Sequence, residues 1–247
     1  MSGKEMSKRQ IRREQIKRKE TRSRIMAIGL ISVGALFLAF LFIYPALKPV
    51  GAVAEAPAVN RTNVDFNTVG NPDAPIMIEE YSDFQCPYCR IFFTNTEEQL
   101  LESYIADGTV YFIYKSFGAF IGVESGDAAQ AAYCAGDQGK FWEMHDIIFA
   151  NQTGENVGAY TSRRLTAFAE TLGLNMDEFS SCFNSGKYKD RIDQDAKDGI
   201  AAGIQATPSF VMTYTVDGET RTRIIQGAQS FEAFQQEIEA ALAEMGQ

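Results

Sequence analysis

Residues 76–89 read Ile76-Met77-Ile78-Glu79-Glu80-Tyr81-Ser82-Asp83-Phe84-Gln85-Cys86-Pro87-Tyr88-Cys89, and the reading of this stretch decides the fold. Ile76 to Tyr81 has the composition of a short buried strand, and Ser82 to Gln85 is a loop. From Cys86 the apolar pattern turns helical. Two thiols separated by two residues can close a disulfide across one helical turn and reopen it. The strand–loop–helix setting puts Cys86 at a helix N-terminus, where unpaired backbone N–H groups and the positive end of the helix dipole favour a thiolate. Pro87 suits an early helical position, because the N–H it lacks would have had no partner there. Cys89 lies one turn further in.

Outward from this stretch, Asn71-Pro72-Asp73-Ala74-Pro75 is turn chemistry leading into the strand. The helix opened by Cys86 is expected to run to about Ala106 and stop at Asp107-Gly108. Thr109–Tyr114 has strand composition. Residues from about 123 to 202 are helical in pattern, with breaks at 136–139, 153–158 and near Ser185-Gly186. Pro208–Tyr214 and Thr222–Gln226 read as strands joined through Asp217-Gly218, a hairpin signal. Ser230 can cap a last helix, whose Phe231, Phe234, Ile238, Ala241, Leu242 and Met245 recur at three and four as one buried stripe. Strand, helix, strand, helical block, hairpin and helix predict an α/β protein: a thioredoxin fold with a helical insertion of about 80 residues at about 123–202.

The N-terminus bears on the compartment. Residues 1–24 hold ten Lys/Arg against three Glu, a net +7, and form a basic tail expected in the cytoplasm. Residues 25–47 carry no charge and cover roughly 30 Å at helical rise, enough to span a bilayer. This is read as an uncleaved anchor. The alternative is a cleaved signal peptide, with Ala52-Val53-Ala54 as the cleavage site. Residues 48–64 are read as a tether and 65–247 as the catalytic domain, placed outside the cytoplasm. Of the total net charge of −9, the chain beyond residue 24 carries −16, which argues against nucleic-acid binding.

Gly70–Pro75, Glu80–Cys89, the run Ala131-Ala-Tyr-Cys-Ala-Gly-Asp-Gln-Gly-Lys-Phe-Trp-Glu-Met-His145, and Gly203–Phe210 together resemble the DsbA-like thiol:disulfide oxidoreductases. They are similar in particular to the membrane-anchored branch of Gram-positive and related bacteria. The resemblance covers about residues 65–245. It implies that Cys86 is the attacking and attacked sulfur and that Cys89 resolves mixed disulfides. It implies that Thr207-Pro208 is a cis-proline loop facing the pair, which sequence alone leaves open to an ordinary trans proline. Glu80 matches an acidic residue of the family and is a candidate proton acceptor near Cys89; the plainer reading is a strand-end carboxylate reaching solvent. Pro87 and Tyr88 lie between the sulfurs and are expected to tune them. DsbA itself usually carries His at the second of these positions, so Tyr88 predicts a less extreme potential. No metal or cofactor is expected beyond the redox pair. Zinc would need further ligands from Cys134, Cys182 and His145, none in a second CxxC or HxxxH.

Cys134 and Cys182 are expected to form a structural disulfide, as leftover cysteines do in an oxidising compartment. Two buried thiols or a second redox centre are the alternatives. His145, the only histidine, is expected to pack rather than catalyse. Phe84, Tyr88, Phe117 and Phe120 are candidates for an apolar surface around the site. The first functional hypothesis is an oxidase that donates the Cys86–Cys89 disulfide to unfolded, newly exported proteins and is reoxidised by a membrane quinone-linked partner of the DsbB or VKOR kind. The second is a reductase or isomerase fed electrons through the membrane. The third is a substrate-binding module without turnover. A tether this short leaves no room for the dimerisation domain of the superfamily's dimeric isomerases, which favours a monomer.

Overall fold

The computed structural model describes residues 8–47 and 50–246, which fall into two compact units, Met1–Pro49 and Val50–Gln247. The first seven residues of the basic tail, Lys48 and Pro49 of the tether, and Gln247 lie outside the described residues. In the first unit, α1 (Lys8–Leu47) is one helix of 40 residues. Its segment Gln15–Tyr44 is long and apolar enough to cross a membrane, with a mean hydropathy of 2.6 over its most apolar window. From Ile25 to Tyr44 apolar residues lie all round it, the pattern of a helix covered on every side by lipid. The same pattern serves an anchor or a signal sequence.

The second unit is built on a five-stranded sheet in the order β1-β3-β2-β4-β5. The strands are β1 (Thr68–Val69), β2 (Ile76–Ser82), β3 (Val110–Ser116), β4 (Ser209–Val216) and β5 (Glu219–Gln226). β2 is the central strand, parallel to β3 and antiparallel to β4. A parallel neighbour requires a crossover, and the helix that follows β2 supplies it. β4 and β5 form a hairpin whose Asp217 (φ 53°) and Gly218 (φ 82°) take the left-handed conformation that a two-residue turn needs. This is the α/β thioredoxin fold expected from the sequence.

The crossover helix departs from the expected regular form. α2 (Pro87–Phe92) passes through a π turn (Phe93–Glu97) into α3 (Glu98–Leu100) and a second π turn (Leu101–Ile105). The wide turns keep Phe92, Phe93, Glu97, Leu100, Leu101 and Ile105 all on the buried face. Phe92 sits 4.5 Å from Phe210 of β4 and 5.6 Å from Phe234 of α9 (Phe231–Met245), ring centre to ring centre. Ser230 occupies the N-cap of α9, but its side chain makes no capping bond. Phe234, Ile238 and Ala241 of the expected stripe are buried, with Phe231, Leu242 and Met245 packed at its margin. On the opposite side of the sheet, Tyr81, Phe117, Ile204 and Val211 form a smaller cluster.

The insertion comprises α4 (Val123–Gly136), α5 (Phe141–Ala150), α6 (Ser162–Thr171), α7 (Met176–Ser185) and α8 (Lys189–Ala201). One further break, between α6 and α7, adds to those expected. Gly173 (φ 68°) ends the first helix, and the Asn175 side chain accepts the N–H groups of Asp177 and Glu178 to cap the second. Cys134 of α4 and Cys182 of α7 are disulfide-bonded, with Cα atoms 5.8 Å apart, so neither is a free thiol.

The segment read as a tether is not slack from residue 50 onward. It has no regular secondary structure, yet Val53, Ala56 and Val59 pack against the core. The Asn151 side chain donates to the Ala54 carbonyl and accepts the Ala54 N–H, both at 2.9 Å. Its Ala, Val and Pro content gives no periodicity, but such residues still cover apolar surface as a strap.

The disulfide closes a separation of 48 residues, which stabilises the fold by about 4 kcal/mol in the chain-entropy treatment. Replacing both Cys134 and Cys182 by Ala is expected to lower the free energy of urea unfolding by about 3–4 kcal/mol, with the slope m raised because the unfolded chain is no longer cross-linked.

Candidate active site

β2 delivers the chain into a sharp loop, and the loop sets Cys86 at the N-cap of α2 with Pro87 at the first helical position. The Cys86 sulfur is only narrowly open to solvent, its residue 5% exposed, while Cys89 is buried within the first turn. Both are free thiols. Across from them the Thr207–Pro208 peptide bond is cis, and the Thr207 carbonyl accepts from the Cys86 thiol at 3.3 Å. The Thr207 hydroxyl is buried without another partner and can donate to the sulfur once it is a thiolate. Cys89 Sγ accepts the Asp83 N–H at 3.4 Å.

These surroundings split the two sulfurs. The Cys86 thiol is pulled down from 9.0 to about 6: the Cys89 thiol donates to its sulfur, Thr207 donates as well, and so do the backbone N–H groups of Cys89 and Tyr88. Burial opposes the change but does not overcome it. Cys89 is pushed well above the usual thiol range, by burial first and by the Cys86 sulfur second. The thiolate therefore resides on Cys86 at neutral pH, and Cys89 keeps its proton.

Glu80 sits two residues before the end of β2, between Tyr114 of β3 and Phe210 of β4 in the register of the sheet. It is 1% exposed, on the face shared with Ile76 and Ile78, so it does not reach solvent at the strand end. Burial, and then repulsion from Glu97, push its carboxyl well above the usual range. Its Oε2 has no hydrogen-bond partner. Repulsion from the Glu80 carboxylate adds to what raises the Cys89 thiol.

A polar cradle from the insertion fixes the loop before Cys86. The Gln152 amide donates to the carbonyls of Phe84 (2.7 Å) and Cys86 (3.0 Å). The Tyr160 hydroxyl lies 3.1 Å from the Phe84 carbonyl. Asp83 accepts the N–H groups of Gln85 and Ile121, and Gln85 accepts that of Asn156. Sequence reading missed Gln152 and Tyr160, because polar residues in a helical block carry no local sign of a distant backbone partner.

Of the four aromatic residues expected around the site, two are elsewhere. Phe84 is core, stacked on Tyr114, and Phe117 is buried against Tyr81. Tyr88 (62% exposed) and Phe120 remain on the surface. His145 is buried among Phe84, Phe93, Trp142 and Phe149, and its Nδ1 lies 2.9 Å from Asp146 Oδ1. Glu97, His145 and Asp146 are close enough together to hold a metal ion. A cation is already there: Arg61 of the strap donates to Glu97 at 2.7 Å and to both oxygens of Asp146 at 2.7 and 2.8 Å.

The family model described as Thioredoxin matches residues 62–240. The Na(+)/H(+) antiporter NhaA 1 of Salinispora arenicola is 32% identical over 143 residues, which are 57% of this chain and 20% of the antiporter. The chain thus spans about a fifth of the length of that relative. The probable disulfide bond formation protein D of Bacillus cereus is 29% identical over 146 residues, 58% of this chain and 67% of that protein. In structure the chain is similar to oxidised BdbD from Bacillus subtilis, with a TM-score of 0.63 at 20% identity over 77% of this chain and 100% of that one. At that identity the likeness shows the fold.

Thiolate absorbance at 240 nm in the reduced protein is expected to titrate with a midpoint of about 6 and to vanish in Cys86→Ser. Thr207→Val removes one donor and is expected to move the midpoint up by roughly half to one pH unit. A wild-type midpoint in the ordinary thiol range would contradict the geometry.

Proposed function

The chain belongs to the thioredoxin family, in its DsbA-like branch of thiol:disulfide oxidoreductases, and we propose that it works as an oxidase, donating the Cys86–Cys89 disulfide to newly exported proteins. The observation that carries this reading is the depressed Cys86 thiol. A thiolate stabilised in the reduced enzyme makes the disulfide a stronger oxidant. At pH 7 the effect is on the order of 1 kcal/mol, or a few tens of millivolts.

The exchange takes two displacements at sulfur. A client thiolate attacks Cys86 Sγ, forming a mixed disulfide and breaking the Cys86–Cys89 bond. The electron pair leaves on Cys89 Sγ, which takes a proton from the Glu80 carboxyl. A second client thiolate attacks the client sulfur of the mixed disulfide and expels Cys86 as a thiolate. The client loses two electrons and gains a disulfide; the enzyme holds a Cys86 thiolate and a Cys89 thiol. Pro208 and Thr207 line the side from which an extended client would approach. In this reading Glu80 is the acid when Cys89 leaves and the base when Cys89 returns. Pro87 and Tyr88 tune the pair, the latter as an exposed residue beside the entry to Cys86. The Cys134–Cys182 disulfide acts as a brace.

Reoxidation requires a two-electron acceptor, and we assign this to a membrane quinone-linked protein of the DsbB or VKOR type. With α1 retained as an anchor and the basic tail in the cytoplasm, the catalytic domain would work as a monomer at the outer face of the membrane.

The full-length protein in detergent micelles is to be equilibrated against glutathione, and the fraction reduced measured. A potential well above roughly −200 mV is expected; a value near −270 mV, the thioredoxin figure, would mark a reductase. The sign with pH is also fixed. The extra stability of the reduced form is fully present above the ordinary thiol value of 9.0 and lost as pH falls through about 6. The equilibrium constant for reduction by glutathione is therefore expected to fall about tenfold for each unit by which the pH is lowered between those limits.

A further inference from the structure

The proton that Glu80 exchanges with Cys89 needs a reason to stay on Glu80, and the fold surrounds that carboxyl with a specific set of groups. Tyr114 faces it from β3 and the apolar Phe210 from β4. Cys86 and Cys89 face it from the start of α2, and Ser82 from its own strand. None of the ion pairs among the described residues includes Glu80. The remaining groups are Glu97, carried on the first π turn and 2% exposed, and His145 of α5. Their polar atoms lie within 4.8 Å of each other, and the His145 ring is 5.3 Å from that of Tyr114, the strand neighbour of Glu80, so that Glu97 acts electrostatically on Glu80. Each of these two carboxyls leaves one buried oxygen without a hydrogen-bond partner.

Glu97 and Glu80 are not equivalent. Arg61 Nη2 donates to Glu97 Oε1 at 2.7 Å, while Nη1 and Nη2 grip both oxygens of Asp146. The guanidinium is itself buried and stacks 4.7 Å over Trp142. A buried arginine cannot give up its charge, so Glu97 and Asp146 must supply the negative charge that neutralises it. Glu80 has no such partner. Of two interacting carboxyls, the one against the guanidinium ionises and the other keeps the proton.

We propose that Glu97 is a positioning residue for the thiol exchange: fixed as a carboxylate by Arg61 of the N-terminal strap, it holds on Glu80 the proton that Cys89 takes up and releases. The step it serves is the one already balanced, Glu80 carboxylic acid plus Cys89 thiolate giving Glu80 carboxylate plus Cys89 thiol. The inference rests on the acid–base role proposed for Glu80. It extends the site through Glu97 and Arg61 to a segment that the sequence presents as a linker.

The test uses the full-length protein and the infrared C=O band of a protonated, buried carboxyl, assigned to Glu80 by its disappearance in Glu80→Gln. Glu97→Gln keeps a hydrogen-bond acceptor for Arg61, which stays paired with Asp146, so the variant is expected to fold. Its Glu80 band should titrate at least one pH unit lower than in the wild type, a tenfold loss of proton affinity. The pH profile of mixed-disulfide resolution should move the same way. Glu97→Asp, which keeps the charge, should recover at least half of the shift. A Glu80 band in Glu97→Gln that titrates within about 0.3 of a unit of the wild type, with the fold intact by circular dichroism, overturns the proposal. If Glu80→Gln leaves the pH profile of resolution unchanged, the acid–base role of Glu80 falls and the proposal with it. The band titration then still reports whether Glu97 sets the Glu80 proton.

Discussion

A thiolate without a counter-cation beside it needs several N–H or S–H donors aimed at one point, and a helix N-terminus with its N-cap residue turned inward is where a chain finds them. Cys86 occupies that position, and the rest of the domain follows from keeping it there. β2 must be central so that the loop leaves the sheet into the start of α2. The hairpin of β4 and β5 must bring Thr207 and Pro208 across from the sulfur. Gln152 and Tyr160 hold the Phe84 carbonyl, and Gln152 shares the Cys86 carbonyl with the Arg90 N–H of the first turn of α2, which fixes the loop on the helix start. The insertion is thus part of the site, and the Cys134–Cys182 bond braces it within the α4–α7 pair rather than at the reacting sulfurs.

Charge burial is the second constraint. Beneath the redox pair lie Glu80, Glu97, Asp146 and His145, with Arg61 as the cation among them. Burial pushes Asp146 up, but hydrogen bonds and attraction from His145 and Arg61 reverse this and leave it below the usual carboxylate range. The same guanidinium serves Glu97, and no ion pair among the described residues includes Glu80. A group of this kind is costly to assemble and costly to break by one member, which suits it to fixing one arrangement rather than to adding stability. It also explains why the strap is ordered: Arg61 can reach the two acids only if residues 50–61 lie against the insertion.

The parts of this arrangement that were legible in sequence are those encoded locally. Cys86 and Cys89 are read directly, and their helix start follows from the strand before them. The Asp217-Gly218 turn needs left-handed backbone, which the residue types announce. The stripe on α9 follows from its spacing. Residues whose partners are distant were not legible. Nothing near Gln152 announces the Cys86 carbonyl, 66 residues away. Arg61 sits in a run of small apolar residues that looks like a spacer, and its partners Glu97 and Asp146 come from two different helices. The π turns were equally hidden, since the apolar spacing through Phe92, Phe93 and Ile105 fits an ordinary helix to within one residue. Nothing in the sequence around Phe84 and Phe117 distinguishes a loop aromatic that lines the site from one that is buried. The core took both, Phe84 against Tyr114 and Phe117 against Tyr81.

The opposite displacement of the two thiols has a consequence for direction in the proposed reaction. In the mixed disulfide two nucleophiles compete. Cys89 can attack Cys86 Sγ and return the client unoxidised, or the client's second thiolate can attack its own sulfur and expel Cys86. The first route needs Cys89 as a thiolate, which burial disfavours. The second needs a good leaving group, and a thiol lowered to about 6 leaves readily. The donors gathered on Cys86 at the helix start and the burial of Cys89 one turn in thus disfavour the return route and favour the productive one. A proton held ready on Glu80 adds to the same bias, because it quenches Cys89 as soon as the disulfide opens. The two cysteines are chemically identical in sequence; their order along the helix is what makes the exchange vectorial.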